Sequence, residues 1–436
     1  MSVVILAAGQ GKRMKSALPK VLHPIAGTPM LRHVVQTARS LNPQKICIVY
    51  GHGGDQVRAA FEEESLAWAK QDPQHGTGHA VMQALPEIGT TGVTLILYGD
   101  VPLITKGTLA ALVGPAAAGK LAWLTQRVAN PAGLGRVLRD VAGKVRAIVE
   151  EKDATPEQRQ VSEINTGFLA CPTAKLAAWL PRLTNNNAQG EYYLTDILAM
   201  AVAENIAVDT PHPAHGWEVV GVNSKDQLAQ LERDYQRELA RRLMTDGVML
   251  ADPARIDVRG QLTCESDVAI DINCVFEGKV HLSSGAKVGA NCILRDCTVG
   301  ANTEILPYTF VDGGSIGEGA RIGPYARIRP GTVLGNDVHI GNFVEVKASE
   351  FGQGSKANHL SYIGDSTVGK SVNIGAGTIT CNYDGANKHR TVIEDSVHIG
   401  SDVQLVAPVT IGKGADIAAG TTVWKDVAPG GLTLNT

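Results

Sequence analysis

No apolar run in this chain of 436 residues approaches the roughly 18 that a membrane-spanning helix needs. The opening residues, MSVVILAAGQGKRM, carry no basic stretch before the apolar run and no small-residue cleavage pattern, so they do not read as a signal peptide. Seven cysteines are scattered without a CxxC pair. An odd, unpatterned count argues against a disulfide framework and implies buried, reduced thiols in a cytoplasmic protein. Charged residues make up only 19%, below the usual quarter, and the formal net charge is −3. That balance gives no electrostatic case for a nucleic-acid partner or an anionic membrane.

What the chain has instead is a rhythm. Ile316, Ile322, Ile328, Leu334, Ile340 and Val346 recur every sixth residue, and so do Ile393, Ile399, Leu405, Ile411, Ile417 and Val423. A small or β-branched residue stands two places before most of them, as at Ala320, Thr332, Val338, Val397 and Ala415. Helices repeat at 3.6 residues and isolated strands at two. A six-residue period means a parallel β-helix in which each hexad forms one face of a coil. Residues 347–362 and 381–392 break the period and are expected to leave the coil as loops on its functional edge.

The first half reads differently. Residues 3–7, 45–50 and 94–98 are short apolar runs expected as strands, and 56–63 is expected as a helix. Thr28-Pro29 is expected to cap and begin another helix, with Leu31, Val34, Val35 and Ala38 on its apolar face. Alternating strands and helices argue a mainly parallel α/β sheet, which binds ligands at the carboxyl ends of its strands. Between the halves, Ser224 and Gln227 form a capping-box pattern ahead of a stripe of Leu228, Leu231, Tyr235, Leu239 and Leu243. The expected organisation is therefore an α/β domain over 1–223, a linker helix over 224–246 and a β-helix over 247–436.

The chemistry-bearing strings follow this plan. Leu6-Ala7-Ala8-Gly9-Gln10-Gly11-Lys12-Arg13-Met14 follows the first strand, and Leu18-Pro19-Lys20 comes soon after. Its glycines let backbone N–H groups approach a phosphate, while Arg13 and Lys20 add positive charge. Tyr98-Gly99-Asp100 places a carboxylate at a strand's carboxyl end, where a hard oxygen suits a phosphate-bound Mg²⁺. Gln71 with Gly76-Thr77-Gly78-His79, Gly133-Leu134-Gly135-Arg136, Glu150-Glu151-Lys152, Asn165-Thr166-Gly167 and Gly221-Val222-Asn223 are further polar strings. Residues 184–196, TNNNAQGEYYLTD, are far too polar for a core. In the second half, Arg329, Lys347 and Lys388 are cations able to clamp a phosphate, and His359 is a candidate base, since an imidazole suits proton transfer at neutral pH.

The LAAGQGKRM and LPK strings resemble those of the sugar-1-phosphate nucleotidylyltransferases, and the hexads resemble those of the hexapeptide-repeat acyltransferases. From end to end the chain resembles the family of bifunctional N-acetylglucosamine-1-phosphate uridylyltransferase/glucosamine-1-phosphate N-acetyltransferases. The resemblance implies a Rossmann-like nucleotidylyltransferase domain and a left-handed, three-faced coil. It implies a cytoplasmic enzyme that makes UDP-N-acetylglucosamine for cell-wall precursors from UTP, acetyl-coenzyme A and glucosamine-1-phosphate, as a homotrimer with Mg²⁺. In that scheme Arg13 and Lys20 act on the phosphates, and Asp100 and Asn223 hold the metal. Leu6, Ala7, Ala8, Gly9, Gln71, Gly76, Thr77 and Gly99 surround the nucleotide, and Tyr98, Gly135, Glu150 and Asn165 the sugar. His359 is the acetyl-transfer base, oriented by Glu345. Arg329, Lys347, Tyr362, Asn373 and Lys388 take glucosamine-1-phosphate. Ala376, Tyr383, Ser401 and Ala419 take the coenzyme, and Asn382 is assigned to both sugar and coenzyme.

Two departures stand out. Lys12 occupies a place where the family has Ser or Thr. No Arg or Lys follows Lys425, where the family continues into a basic tail; the expectation is a shortened chain with weakened coenzyme binding, Lys413 and Lys425 being the alternative cations. Two other readings stay open on sequence: a fused nucleotidylyltransferase for another hexose phosphate, and a non-enzymatic exchange-factor-like scaffold.

Overall fold

The computed structural model describes residues 1–434 and divides into two compact units, Met1–Asp234 and Tyr235–Thr436. Asn435 and Thr436, the end of the expected short tail, lie outside the described residues.

The first unit is built on one sheet. Strand β1 (Ser2–Ala7) pairs in parallel with β2 (Lys45–Tyr50), which pairs in parallel with β3 (Ala67–Lys70). On its other side β1 pairs in parallel with β4 (Val93–Tyr98). Beyond β4 the sheet continues through β8 (Glu163–Pro172) to β5 (Leu121–Arg127), and β8 runs antiparallel to both. A hairpin of β6 (Arg136–Arg139) and β7 (Val145–Val149) attaches to β8. The chain thus leaves β1 toward one edge and later returns to its other side. The carboxyl end of β1 is a topological switch point, where open α/β sheets place their ligands.

Every residue of β1 is buried, because helices cover both faces. Val3 and Ile5 join one apolar cluster with Leu31, Val34 and Val35 of α1 (Met30–Arg39). Val4 and Leu6 join the opposite cluster with Ala80, Val81 and Ala84 of α2 (Thr77–Ile88). Two boundaries differ from expectation. Thr28 does not cap α1. Ala26 and Gly27, at φ 48° and 76°, turn the chain so that Thr28–Pro29 pairs with Pro24–Ile25, and the helix begins at Met30. The helix expected over 56–63 runs Gly54–Ala59. After it Phe61 turns into the core, and Glu64 is held by Arg32 and Arg39, each at 2.8 Å.

Helix α3 (Lys225–Thr245) crosses the boundary between the units. Its start is a shifted capping box. Ser224 Oγ accepts from Gln227 N at 3.2 Å, while Gln227 Oε1 accepts from Asn223 N at 2.7 Å, one residue earlier than usual. Farther along, Ala240, with Leu239 and Leu243 at its rim, packs into the apolar interior of the coil. The buried Gln236 amide accepts from Val258 N at 2.9 Å and donates to Val258 O at 2.8 Å.

The second unit is a left-handed parallel β-helix with three ladders of short strands. In one ladder Arg321 pairs with His339, then Lys356, Asn373, His398 and Asp416, so most coils take 17 or 18 residues. The hexad aliphatics from Ile316 to Val346 and from Ile393 to Val423 are all buried, as are the residues two places before them from Ala320 to Val344 and from Thr391 to Thr421. One expectation fails here. Residues 347–362 do not leave the coil: Val333 pairs with Glu350, Asn342 with His359 and Glu345 with Tyr362. The coil drops one residue at a corner, so Phe351 follows Val346 by five places and both stay buried. The sequence period breaks while the ladder continues. Of residues 381–392, only 382–390 bulge out, closed by a Tyr383–Lys388 bridge, while Cys381, Thr391 and Val392 keep their ladder pairs.

Candidate active sites

At the carboxyl ends of β1 and β4 lies a cleft of about 900 Å³. Leu6, Ala7, Ala8, Gly9, Lys20, Gln71, Gly76, Thr77, Tyr98 and Asp100 line it, as the sequence led us to expect. Gly99 packs beneath, against Leu31, Ala7 and Val21. Gln71 is buried, and its amide donates to Gly76 O at 2.9 Å, which fixes the turn that opens α2. Gln74 was not singled out from sequence; its amide donates to Ala8 O and ties the phosphate-loop string to the 71–76 turn. Nothing but an amide in a polar loop marked it beforehand.

The ammonium of Lys20 sits against two of the expected metal ligands. Its Nζ pairs with Asp100 Oδ2 and donates to Asn223 Oδ1 at 3.1 Å. Val222 N bonds Asp100 O at 2.9 Å, which holds the segment carrying Asn223 to the end of β4. One cation already shows that both oxygens can serve a single positive charge. Two convergent hard oxygens fit a divalent ion that fills its remaining positions with phosphate and water. Among the described residues no cluster of three or more His, Cys, Asp or Glu could hold a metal by itself. Arg13 lies on the short helical turn Lys12–Met14; it and Lys12 are exposed, and neither lines the cleft.

Tyr98 begins a second group. Its ring packs against Gly167, whose φ of 89° and close contact leave no room for a Cβ. Asn165 accepts from Trp123 Nε1 and from Gly167 N, each at 2.7 Å, and its own N–H bonds Gly135 O at 2.8 Å. Glu150 lies over Gly135 and accepts from Thr195 Oγ1 at 3.2 Å. Burial pushes the Glu150 carboxyl pKa up; the Thr195 bond opposes this, and Asp153, Asp196 and Glu191 add to it. Tyr98, Gly135, Glu150 and Asn165 thus stand together, as expected.

On the coil, Arg329 bonds Glu345 at 2.8 Å, Glu345 pairs with Tyr362 in the ladder, and Lys347 bonds Asp365 at 3.0 Å. Asn382 donates to Asp365 and, at 3.4 Å, to Tyr362 Oη. Asp365 is the residue sequence reading missed. Its one mark is a position at a corner of the coil, where its φ is 51°. Glu345 is engaged by Arg329 and does not bond the His359 ring. That ring is exposed, at the end of strand Lys356–His359 on the neighbouring ladder, and has no hydrogen-bond partner among the described residues. Asn373 lies on the same ladder and meets His398 at 3.4 Å. Lys347 is held protonated by Asp365, while Lys347 in turn pushes the Lys388 pKa down. Arg329, Lys347 and Lys388 therefore form a positive cluster. Tyr383 is exposed on the bulge. Ala376, Ser401 and Ala419 follow one another along the coil; Asp402 N bonds Ala376 O and Gly420 N bonds Ser401 O.

An α/β sheet with a phosphate-loop cleft, followed by a hexad coil bearing a cation cluster and a histidine, defines a nucleotidyltransferase joined to a hexapeptide transferase. Family models agree: residues 3–245 match the MobA-like NTP transferase domain, 258–351 the GMPPB C-terminal domain and 390–423 the bacterial transferase hexapeptide (six repeats). The chain is 60% identical over 435 residues to the Bifunctional protein GlmU of Azoarcus sp. (strain BH72), covering 100% of this chain and 96% of that protein. It is 58% identical to the protein of that name from Ralstonia pickettii (strain 12J), with the same coverage, and 59% identical to that of Nitrosospira multiformis, covering 95% of it. The chain belongs to the GlmU family of bifunctional transferases. The nucleotidyltransferases of this family work with a divalent metal, which the Asp100–Asn223 pair fits. No helix among the described residues is long and apolar enough to cross a membrane.

Proposed function

We propose that the chain makes UDP-N-acetylglucosamine in two steps, acetyl transfer on residues 247–436 and uridylyl transfer on residues 1–223, with 224–246 as the linker. The observation that carries this reading is the cleft at the switch point, where the phosphate-loop string, the Lys20–Asp100 pair, the turn of Gln71, Gly76 and Thr77, and Tyr98 of the sugar group line one cavity.

In the acetyl step, Arg329, Lys347 and Lys388 hold the phosphate of glucosamine-1-phosphate, and Tyr362, Asn373 and Asn382 its sugar. The amine attacks the thioester carbonyl of acetyl-coenzyme A, His359 takes the amine proton, and the coenzyme leaves as a thiol. The exposed, unpartnered imidazole is free to do this. Asp365 keeps Lys347 charged and in place. Ala376, Tyr383, Ser401 and Ala419 face the coenzyme.

In the uridylyl step, N-acetylglucosamine-1-phosphate attacks the α-phosphorus of UTP and pyrophosphate leaves. The work is positioning and neutralisation of charge. Asp100 and Asn223 would hold Mg²⁺, which neutralises phosphate charge when bound. Lys20 faces the phosphates, Arg13 would have to reach them from its exposed turn outside the cleft lining, Gln71, Gly76 and Thr77 read uracil, and Tyr98, Gly135, Glu150 and Asn165 read the sugar.

The enzyme acts as a cytoplasmic homotrimer. Tyr308, Tyr325, Phe343 and Leu360 occupy successive corners at φ 49–61°, a conformation costly for bulky side chains, and are 47–63% exposed. Tyr308 stacks on Tyr325 at 4.9 Å, and Tyr325 on Phe343 at 5.2 Å. This apolar edge ends beside His359 and suits contact with a second coil. Sedimentation as a monomer at micromolar concentration would remove the trimer.

The deciding experiment mixes the protein with glucosamine-1-phosphate, acetyl-coenzyme A, UTP and Mg²⁺. UDP-N-acetylglucosamine, coenzyme A and pyrophosphate are the expected products. Turnover only with another hexose phosphate from a panel would replace the substrate, and no turnover at all would favour a scaffold.

A further inference from the structure

We propose that the loop ahead of Asp196 mechanically couples the two ends of the N-terminal cleft, and that Asp153 is the positioning residue that closes the link. The inference rests on the uridylyl-transfer reading above.

The loop is braced from within. Asn187 Oδ1 accepts from Gln189 N and Glu191 N, each at 3.2 Å, and its Nδ2 donates to Glu191 O at 2.6 Å. One side of the loop is locked to the turn assigned to uracil. Tyr192 N bonds His75 O at 2.9 Å, Gly78 N bonds Tyr192 O at 2.8 Å, and Leu194 N bonds Thr77 Oγ1 at 3.2 Å. The fit is tight: a Cβ on Gly76 would meet Tyr192 O and the Glu191 side chain at 2.8 Å.

The other side is locked to the turn assigned to the sugar. Asp153 Oδ1 accepts from Ala188 N at 2.9 Å, and its Oδ2 accepts from Tyr193 Oη at 3.1 Å. Asp153 N bonds Glu150 O at 3.0 Å, and Thr195 Oγ1 bonds Glu150 itself at 3.2 Å. One short segment therefore holds both turns. A nucleotide that orders residues 75–78 fixes the loop, and the loop in turn fixes Glu150 for the sugar. Coupling of this kind is reciprocal between the two ligands. Asp153 touches neither ligand in this scheme; it acts through the loop and Glu150.

The test measures binding of N-acetylglucosamine-1-phosphate to the full chain by calorimetry, with and without α,β-methylene-UTP and Mg²⁺. In the wild type the analogue should tighten sugar-phosphate binding about tenfold. Asp153→Ala should erase that gain while leaving affinity for the analogue within about twofold. Asp153→Asn keeps an acceptor for Ala188 N and should retain most of the coupling. Tyr193→Phe removes one of the two bonds, needs no refolding of the turn, and should lose part of it. An undiminished gain in both Asp153→Ala and Tyr193→Phe, or no gain in the wild type, overturns the inference. Wild-type protein that forms no UDP-sugar from this substrate overturns the underlying reading instead.

Discussion

The two units build sites in opposite ways. In the α/β unit the functional groups come from loops that follow strands, and they enclose a cavity within one chain. On the coil most come from the strands and corners themselves, roughly one coil apart, with Tyr383 and Lys388 on the one bulge, and many face outward. A loop site can be complete in contiguous strings such as LAAGQGKRM. A coil site is spread from Arg329 to Ala419 and is assembled only by register. The cations differ in the same way. Lys20 sits on a carboxylate inside the cleft, whereas on the coil Lys347, itself bonded to Asp365, crowds an exposed Lys388.

If the sites are separate, single changes should split the activities. The largest effect is expected for Asp100→Ala, which removes one of the two oxygens proposed for the metal and leaves Lys20 without its counter-charge. Uridylyl transfer should fall on the order of 10³-fold or more, with acetyl transfer unchanged. Near-normal pyrophosphate release would take Asp100 out of the mechanism. The mirror experiment is His359→Ala, which should slow acetyl transfer by about 10²–10⁴-fold. Uridylyl transfer from ready-made N-acetylglucosamine-1-phosphate should not change; loss of both activities would indicate misfolding.

A smaller effect sharpens the electrostatic contrast. Lys347 lowers the Lys388 pKa, so Lys388 loses its proton at a lower pH than an ordinary lysine. Binding of glucosamine-1-phosphate should therefore weaken early on the alkaline side. Lys388→Met should bind about tenfold more weakly at neutral pH and lack that early limb. An unaltered pH profile in the variant would assign the limb to another group. The smallest effect lies on α3, between the two chemistries. Arg241, and then Arg242, hold Glu238 down to about 2. A depressed carboxyl stabilises the fold above its unfolded pKa, and this contribution fades as pH falls toward 2. Glu238→Gln should cost about 0.5 kcal/mol at pH 7 and nothing near pH 2, read as thermal midpoints. Equal midpoints at pH 7 would leave this pair without energetic weight.

The architecture was legible because burial imposes period. The hexads mark inward positions of the coil over 316–346 and 393–423, and the unbroken apolar run of β1 marks a strand covered on both faces. Residues 347–362 misled because a coil can lose one corner residue without losing pairing, and a strict six-residue template cannot see that. Thr28 misled because a two-residue ladder formed by a neighbouring turn outranked its capping propensity. In the α/β cleft the strings placed most of the lining residues, since loop chemistry is local. Asp365 and Gln74 escaped notice because their partners, Lys347 and Ala8, are distant in sequence and meet them only through the fold. The engagement of Glu345 by Arg329 had the same origin: the two are distant in sequence and meet only through the register of the coil.

The amide of Gln236 has a consequence for how the coil behaves in a crowded solution. The first coil of any β-helix exposes backbone donors and acceptors that another strand could join, and stacked ladders of that kind grow into fibres. Gln236 meets both the donor and the acceptor of Val258, so one side chain imitates the strand that would otherwise add there. The helix that brings it thus works as a cork, and it shields the coil from end-on polymerisation at the place where a repeating structure is most open to copying itself.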